Sequence, residues 1–405
     1  MKGGIPFTAG EMMGPERYRK LRLRTIFECC KWDPQVEDTS VLAAYPILLS
    51  TRAWKEVAEA AEYLAAETLA AEDEILSRPE LLKDLALPRP IWKLLAMGGR
   101  VASGPRVMRF DFHYTADGWR ISEVNSDVPG GFVEADGFTE LMGEEYALPT
   151  TGQPAKRLAE CLVRSGGEKP TIGFIHASAY SDDKQVMTYI ARELEKRGAN
   201  AVLLDPSQVR WEDECAGARV ECEWFKGNLD TIYRFFPAEW LPNLKRTCAW
   251  QRYFVGSSTP QSNPGYALIS QTKRFGLMLD RLKTGMTKWK QLLPVTTDVR
   301  AVERNSEEWI VKPALGRVGE AIGIPGITPP QEWKQIRRNA FFYPRDWVAQ
   351  RRFEIVPLQT GEGPRYVCLG VYTVDGVAAG IYGRCSASPI INHTAQDVAV
   401  LLKGD

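Results

Sequence analysis

Residues 107–125 read VMRFDFHYTADGWRISEVN and predict a β-hairpin, the feature from which our interpretation of the chain starts. Arg109 and Asp111 stand two residues apart on its first strand, and Glu123 and Asn125 stand two apart on its second. Because successive side chains of a strand point to opposite faces of a sheet, the two members of each pair share a face. The hairpin therefore predicts two polar pairs, one on each strand.

The register of the hairpin decides whether the two pairs share one face. A three-residue loop that ends at a left-handed Gly118 would place Asp111 opposite Glu123 and Arg109 opposite Asn125. Opposed carboxylates repel each other, so this arrangement predicts a bound cation, and hard oxygen ligands favour Mg²⁺. A two-residue turn would turn Asp111 to the other face and favour an ordinary surface hairpin.

The chain on either side of the hairpin has the pattern of a mixed α/β protein. Residues 51–77 are rich in Ala, Glu and Leu at helical spacing and predict one long helix. Residues 171–205 predict a strand, an amphipathic helix that ends at Gly198 and a second strand, which is typical of a βαβ unit. The remaining predicted elements are a strand within 230–241, a helix at 270–283, strands at 309–313 and 347–356, and a hairpin with an Asp375–Gly376 turn.

A second polar stretch, residues 307–324, reads EEWIVKPALGRVGEAIGI. A predicted strand delivers Lys312, and a glycine loop that contains Arg317 follows at once. Glycines allow the backbone to present N–H groups to phosphate oxygens, while lysine and arginine supply charge, although the ending of a Walker A motif is absent. Lys273 and Arg384 are further cations that either bind phosphate or lie solvated at the surface.

Composition excludes several classes of protein. The 405 residues include 51 Lys and Arg and 51 Asp and Glu, so no net charge favours nucleic acid or anionic lipid. We see no signal peptide and no apolar run of the ~18 residues that span a bilayer. Eight cysteines form no CxxC pair and only three histidines are present, which argues against a zinc site. We expect a cytoplasmic monomer or homodimer that acts on small molecules.

Several blocks of the sequence together resemble the synthetase domain of glutathionylspermidine synthase, in the ATP-grasp superfamily. The blocks are RFDF (109–112), EVNSDVPGGFVEA (123–135), IYRFFPAEWL (232–241), SQTKR (270–274), VKPALGRVG (311–319) and the GIYGRCS and IIN segments near the C-terminus. They cover most of residues 107–392, and their joint occurrence is far more specific than any one of them.

The resemblance implies an ATP-grasp fold with a pre-ATP-grasp-like βαβ companion domain. Residues 1–150 and 259–405 would form the ATP-grasp body, and residues 151–258 the companion domain. The oxygen ligands precede the lysines along the chain, which indicates a circularly permuted order. The implied activity is carbon–nitrogen ligation, in which ATP and Mg²⁺, as two ions, serve to activate a carboxylate as an acyl phosphate before an amine attacks.

The resemblance also implies roles for individual residues. Asp111, Glu123 and Asn125 would hold Mg²⁺, and Arg109, Arg317 and Arg384 would act at the reacting centre. ATP would be bound by Arg109, Lys273, Lys312, Gly316, Arg317, Val318, Gly319, Gln350, Arg351, Arg352 and Phe353. The substrate would contact Asp127, Val128, Gly130 and Gly131.

Two departures from the family pattern concern the substrate. The segment before residue 107 is too short for the amidase domain of the bifunctional family members. Val128, Pro129, Gly130 and Gly131 stand where the family has hydroxyl side chains, so we expect little synthesis of glutathionylspermidine and a flexible, roomy segment that admits a bulkier acid. Ligation of another amino acid or peptide pair without polyamine, and a catalytically silent nucleotide-binding module, are the alternatives.

Overall fold

A computed structural model describes residues 5–32, 34–36, 39–98, 104–211, 217–303, 306–316 and 319–404. The α-helices in this part of the chain are α1 Pro15–Glu28, α2 Thr51–Ser77, α3 Arg89–Ala96, α4 Thr139–Tyr146, α5 Pro154–Gly166, α6 Ser181–Glu195, α7 Arg252–Val255, α8 Leu268–Gln271, α9 Thr287–Leu292 and α10 Pro330–Phe342. None of these helices is long and apolar enough to cross a membrane.

The strands are short and form several sheets. They are β1 Phe7–Ala9, β2 Gln35–Val36, β3 Thr39–Ser40, β4 Ile47–Ser50, β5 Val107–Thr115, β6 Gly118–Asn125, β7 Thr171–Ile175, β8 Asn200–Leu204, β9 Val209–Trp211, β10 Ala218–Glu221, β11 Lys226–Asn228, β12 Thr231–Arg234, β13 Gln261–Ser262, β14 Thr296–Thr297, β15 Trp309–Pro313, β16 Trp347–Arg351, β17 Leu358–Thr360, β18 Gly363–Val374, β19 Val377–Ser386, β20 Gln396–Val398 and β21 Val400–Lys403.

The largest sheet, called the central sheet below, is antiparallel with strand order β20-β19-β18-β5-β6, and β17 adds to β18. Helix α2 packs against β18 and β19 and has the bounds that the sequence predicts. Ser50 caps it by accepting a hydrogen bond from the backbone N–H of Ala53 at 3.1 Å. The β18–β19 hairpin has the predicted turn, with Asp375 and Gly376 both at positive φ.

The β5–β6 hairpin corrects one expectation and confirms another. Thr115 pairs with Gly118, so the loop has two residues and the predicted three-residue loop is wrong. A β-bulge near Asp111 then shifts the register by one residue, because Phe110 pairs with Val124 while Phe112 pairs with Ile121. Beyond the bulge Arg109 lies opposite Asn125, as predicted. Bulges re-aim side chains in this way next to functional sites.

The predicted βαβ unit is present, since β7, α6 and β8 follow one another and the two strands pair in parallel. The complete parallel sheet has strand order β13-β12-β7-β8. Strand β12 lies within the predicted range 230–241, but β13 lies at Gln261–Ser262. The parallel sheet therefore includes a strand beyond residue 258, the limit that the sequence suggested for the companion domain.

A small antiparallel sheet with strand order β14-β16-β15 carries the segment around Lys312. Strand β15 has the predicted bounds, whereas β16 ends at Arg351 and is shorter than expected. The predicted helix at 270–283 is wrong, because the chain forms only α8 and then a short 3₁₀ turn at Lys273–Leu277. Gly276 in this turn packs closely against Thr296 of β14. This tertiary contact outweighs the helical pattern of the sequence.

Candidate functional site

A cavity of about 570 Å³ lies where the central, parallel and small sheets approach one another. Residues of β5, β6, β18 and β19 form one side, β15 and the segment after β16 form another, and α6 with the segment after β12 forms a third. The predicted site residues that line it are Arg109, Asp111, Glu123, Asn125, Val128, Gly130, Gly131, Lys312, Gly316, Gly319, Arg352, Phe353 and Arg384. A cavity of this size suits small-molecule ligands.

Arg109 and Asp111 form a two-pronged ion pair at the cavity wall. Nε of Arg109 donates to Oδ1 of Asp111 at 2.8 Å, and Nη2 donates to Oδ2 at 3.0 Å. The amide of Asn125 donates to the same Oδ2 at 3.1 Å, and Nη1 of Arg109 donates to the carbonyl oxygen of Gly130 at 2.6 Å. Bidentate pairs of this kind are strong and directional, so both side chains are held in one orientation.

Glu123 has a cation of its own. Nζ of Lys273 lies 2.9 Å from Oε2 of Glu123. Burial alone would raise the pKa of Glu123, but Lys273 and Lys312 together lower it to about 2, so the carboxylate is charged at neutral pH. Asp111 and Glu123 therefore each have a cationic partner of their own, Arg109 and Lys273 respectively.

Lys312 lies at the base of the cavity and is 4% exposed. Its Nζ donates to Oε1 of Gln350 at 2.8 Å and to the carbonyl oxygen of Ser122 at 3.3 Å. Burial lowers the pKa of Lys312 to about 8, although the negative charge of Glu123 opposes the shift. Gln350 also donates to Oγ1 of Thr296 at 3.1 Å. Gln350 therefore holds Lys312 from behind and does not itself line the cavity.

The glycine loop after β15 is connected to the same centre through Lys273. This lysine donates from Nζ to the carbonyl oxygen of Gly316 at 2.9 Å, and it lies behind the cavity wall. Gly319 has φ +70°, and a Cβ atom there would lie 2.4 Å from the carbonyl oxygen of Ile391. Glycine is therefore required where the loop meets the C-terminal segment. Arg317 and Val318, two predicted site residues, lie outside the described residues.

An apolar wall forms the end of the cavity near Lys312, and sequence reasoning missed most of it. Its members come from three separate segments of the chain: Ile310, Ile322, Ile324, Ile327, Phe353 and Ile355. The segment after the glycine loop folds back on β15, where the backbones of Val311 and Gly323 exchange hydrogen bonds of 2.9 and 2.8 Å. The repeated isoleucines of AIGIPGI (321–327) were the available sequence signal for this wall, but the same apolar pattern is typical of residues in a protein core.

His113 is a second residue that sequence reasoning missed. It follows Asp111 by two residues on β5 and lines the same cavity. Its Nδ1 donates to the carbonyl oxygen of Val367 at 3.1 Å, so Nε2 accepts from Oγ of Ser122 at 3.1 Å. Burial lowers the pKa of His113 to about 4, so the ring is neutral at physiological pH. Period-two spacing from Arg109 was the available signal.

Two further predicted site residues, besides Gln350 and Lys273, do not line the cavity. The carboxylate of Asp127 is fully buried against the guanidinium of Arg234, and it also accepts from the backbone N–H of Ala238 at 3.0 Å. Arg351 points outward, where its Nη1 lies 2.9 Å from Glu308 and its guanidinium stacks on a tryptophan ring. Asp127 thus holds the chain through a buried ion pair and does not contact the cavity. Of the two adjacent arginines that were predicted at the site, only Arg352 lines the cavity.

The Gly130–Gly131 segment is neither flexible nor roomy. The carbonyl oxygen of Gly130 accepts hydrogen bonds from Arg109 and from the hydroxyl of Tyr372. A Cβ atom at Gly131 would lie 2.6 Å from the ring of Tyr382, so the aromatic ring occupies the space that the missing side chain leaves. The expectation of a loose segment that admits a bulkier acid is therefore wrong at Gly131.

Comparisons with known proteins agree with this architecture. A Haemophilus influenzae protein with the provisional name acid–amine ligase is 21% identical over 286 residues, which are 67% of this chain and 68% of that protein. A solved structure of a glutathione synthetase-like effector from Globodera pallida, in its apo form, has 14% sequence identity and a TM-score of 0.66, with 96% of each chain covered. At this identity the second comparison shows the fold alone.

The match that decides the family extends over nearly all of the chain. It includes the β5–β6 hairpin, the parallel sheet, the glycine loop and the final strands. Because the sequence model of the glutathionylspermidine synthase preATP-grasp family matches residues 32–403, this chain belongs to that family.

Proposed function

We propose that the protein is an ATP-dependent acid–amine ligase that forms an amide bond through an acyl phosphate. The observation that carries this proposal is that Asp111, Glu123, Arg109, Lys312 and Arg384 all line one cavity. Phosphoryl transfer requires mainly positioning and neutralisation of charge, and these side chains can supply both. We also infer the circularly permuted order and a companion domain over residues 151–258, to whose parallel sheet β13 is added from beyond that range.

The nucleotide would lie at the apolar end of the cavity. The isoleucines and Phe353 offer an apolar surface for a purine ring, and Lys312, which lines the same cavity, would face the phosphates. Arg352 donates to the carbonyl oxygen of Pro325 at 3.2 Å and so holds the segment that closes this end. Lys273 would act on the phosphates by holding the glycine loop, since it already donates a hydrogen bond to the carbonyl oxygen of Gly316.

The donor set fits Mg²⁺. Asp111, Glu123 and Asn125 present hard oxygen atoms on neighbouring strands at the cavity wall, and the two carboxylates are already oriented by Arg109 and Lys273. Mg²⁺ prefers such oxygen ligands and commonly shares them with substrate phosphates. When bound, the ion would neutralise charge on the phosphates of ATP.

The proposed reaction has two steps. A carboxylate oxygen of the acid attacks the γ-phosphorus, the bond from that phosphorus to ADP breaks, and an acyl phosphate forms. The amine nitrogen then attacks the acyl carbon and gives up a proton to the departing phosphate or to water, the carbon–oxygen bond to phosphate breaks, and phosphate leaves as the amide forms. Arg109, held by Asp111 and Gly130, would bind the transferring phosphoryl group, and Arg384, which lines the same cavity, would stabilise negative charge there.

Measuring ADP release from Mg-ATP tests this function against a panel of amino acids, short peptides and amines. We expect one acid–amine pair to stimulate release and to yield an amide in equal amount. ATP binding without stimulated release by any pair would favour a silent nucleotide-binding module. Release with an amino acid or peptide acceptor only would favour ligation without polyamine.

Lys312→Ala should weaken Mg-ATP binding by about 10- to 100-fold, because the variant loses a charge-assisted contact worth roughly 1.5–3 kcal/mol. Titration calorimetry measures the effect. Lys290→Ala is the matched control, since Lys290 lies outside the cavity and its side chain is 48% exposed. Equal ATP affinity in the two variants would remove Lys312 from the nucleotide site.

Glutathione and spermidine should yield little or no conjugate with Mg-ATP. Val128 lines the cavity without a hydrogen-bond donor, and the carbonyl oxygen of Gly130 is already used by Arg109. The hydroxyl donors that the family resemblance implies at these positions are therefore missing, and a misplacement of about 1 Å can cost ~100-fold in rate. Mass spectrometry detects the conjugate, with the best pair from the panel as a positive control. Turnover near ~1 per second would contradict this prediction.

A further inference from the structure

Tyr382, on β19, lies in the cavity and has no role in the proposed chemistry so far. The guanidinium carbon of Arg109 lies 5.2 Å from the centre of its ring. A planar cation on an aromatic face is attracted by the ring quadrupole, most strongly where water is excluded. The contact therefore restrains the face of Arg109 that the hydrogen bonds to Asp111 and Gly130 leave free.

The ring of Tyr382 is itself fixed. Its hydroxyl donates to Oδ1 of Asp397 at 2.6 Å, and Lys31 lies 3.7 Å from the other carboxylate oxygen. Gly131 packs on the ring so closely that a Cβ atom would clash, and it adopts φ +95°. The hydroxyl tether and the glycine contact together hold the ring beneath Arg109.

A second glycine makes room for the stack. Gly370 is the partner of Tyr382 on one side and of Asp111 on the other, so the three residues form one row across the sheet. A Cβ atom at Gly370 would lie 2.7 Å from Cδ of Arg109. Because Gly370 has no side chain, the aliphatic part of the Arg109 side chain occupies the space over the middle of this row.

We propose that Tyr382 is a positioning residue, which holds the guanidinium of Arg109 in the orientation that the phosphoryl transfer requires. This inference rests on the proposed function. An arginine side chain has several rotatable bonds, and the ring restricts it before substrate binds. Tyr382 acts through Arg109 and need not touch the substrate.

A double-mutant cycle tests the coupling, with turnover measured as ADP release from the best acid–amine pair. Tyr382→Leu should lower kcat by about 10- to 100-fold and leave the KM for ATP within about 3-fold, because orientation and not ATP binding is lost. In an Arg109→Ala background the same change should cost less than about 2-fold. Tyr382→Phe keeps the ring and should retain most of the turnover. An equal fractional loss in both backgrounds would overturn the proposal.

Tyr266→Leu is the matched control, because Tyr266 makes the same kind of contact with Arg106, at 5.9 Å, away from the cavity. It should lower stability without changing kcat. The NMR resonance of the Arg109 Nε–H group gives a readout that needs no turnover, and Arg109→Lys assigns it. The ring of Tyr382 should shift this resonance upfield, and Tyr382→Leu should remove the shift.

The NMR measurement separates two kinds of failure. If no acid–amine pair stimulates ADP release but the resonance moves as expected, the proposed function fails while the stacking stands. If the resonance of Arg109 is the same with and without the ring, the positioning role of Tyr382 is wrong whatever the enzyme does.

Discussion

Glu123→Gln should lower substrate-dependent ADP release by about 10²- to 10³-fold, in the range observed when one charge-stabilising group is removed from an active site. The carboxylate of Glu123 is charged because Lys273 and Lys312 hold its pKa at about 2, whereas the carboxamide is neutral. The variant therefore presents one formal charge fewer to Mg²⁺ and leaves Lys273 paired only with neutral oxygens.

The same substitution has a second, smaller effect. Because the amide oxygen can still accept a hydrogen bond from Lys273, we expect the free energy of unfolding to fall by only about 1–3 kcal/mol. Glu308→Gln is the control, since Glu308 pairs with Arg351 outside the cavity. A variant at Glu123 that unfolds easily but keeps full activity per folded molecule would show that this carboxylate serves stability alone.

Arg234→Leu should reduce the free energy of unfolding by about 3–5 kcal/mol, a large fraction of the stability of a typical protein. Arg234 and Asp127 have no exposed side-chain surface, and removal of one leaves the other as an uncompensated buried charge. Arg234 also donates to the carbonyl oxygens of Asn263 and Phe236, so it connects β12 with two neighbouring segments. Urea denaturation measures the change.

Two further variants complete this experiment. Asp127→Asn should be destabilised in the same direction, because it leaves the buried Arg234 without the negative charge of its partner. Arg300→Leu is the control, since the side chain of Arg300 is 68% exposed in its ion pair with Asp298 and its loss should change stability far less. If Asp127→Asn unfolds like the unmodified protein and loses only substrate affinity, Asp127 belongs to the substrate site, as the sequence suggested.

The β5–β6 hairpin shows which structural features local sequence patterns can predict and which they cannot. Alternation along β5 and β6 predicts which side chains share a strand face, and Arg109 does lie opposite Asn125. The loop length was predicted one residue too long. The bulge compensates for that residue, and it depends on the packing of Phe110 and Phe112, which are both fully buried. Turn rules do not include such tertiary packing.

The cavity could be predicted only in part for a similar reason. The charged residues stand out in the sequence because their spacing and their glycine neighbours are unusual. The isoleucines of the apolar wall come from segments that meet only after folding, and they do not differ in pattern from isoleucines of the core. The burial of Asp127 and the outward direction of Arg351 likewise depend on neighbours that are distant along the chain.

The strand pairing has a consequence for the synthesis of the protein on the ribosome. Strand β21 pairs with β4, and the paired residues Val400 and Ile47 are more than 350 positions apart. The hairpin β5–β6 likewise has an unpaired edge until β18 has been synthesised, because Leu369 of β18 pairs with Phe112 of β5. The emerging chain therefore keeps apolar strand faces uncovered until β18 and β21 have been translated, a condition that invites aggregation and binding by chaperones. Messages that end early would yield products without a closed core.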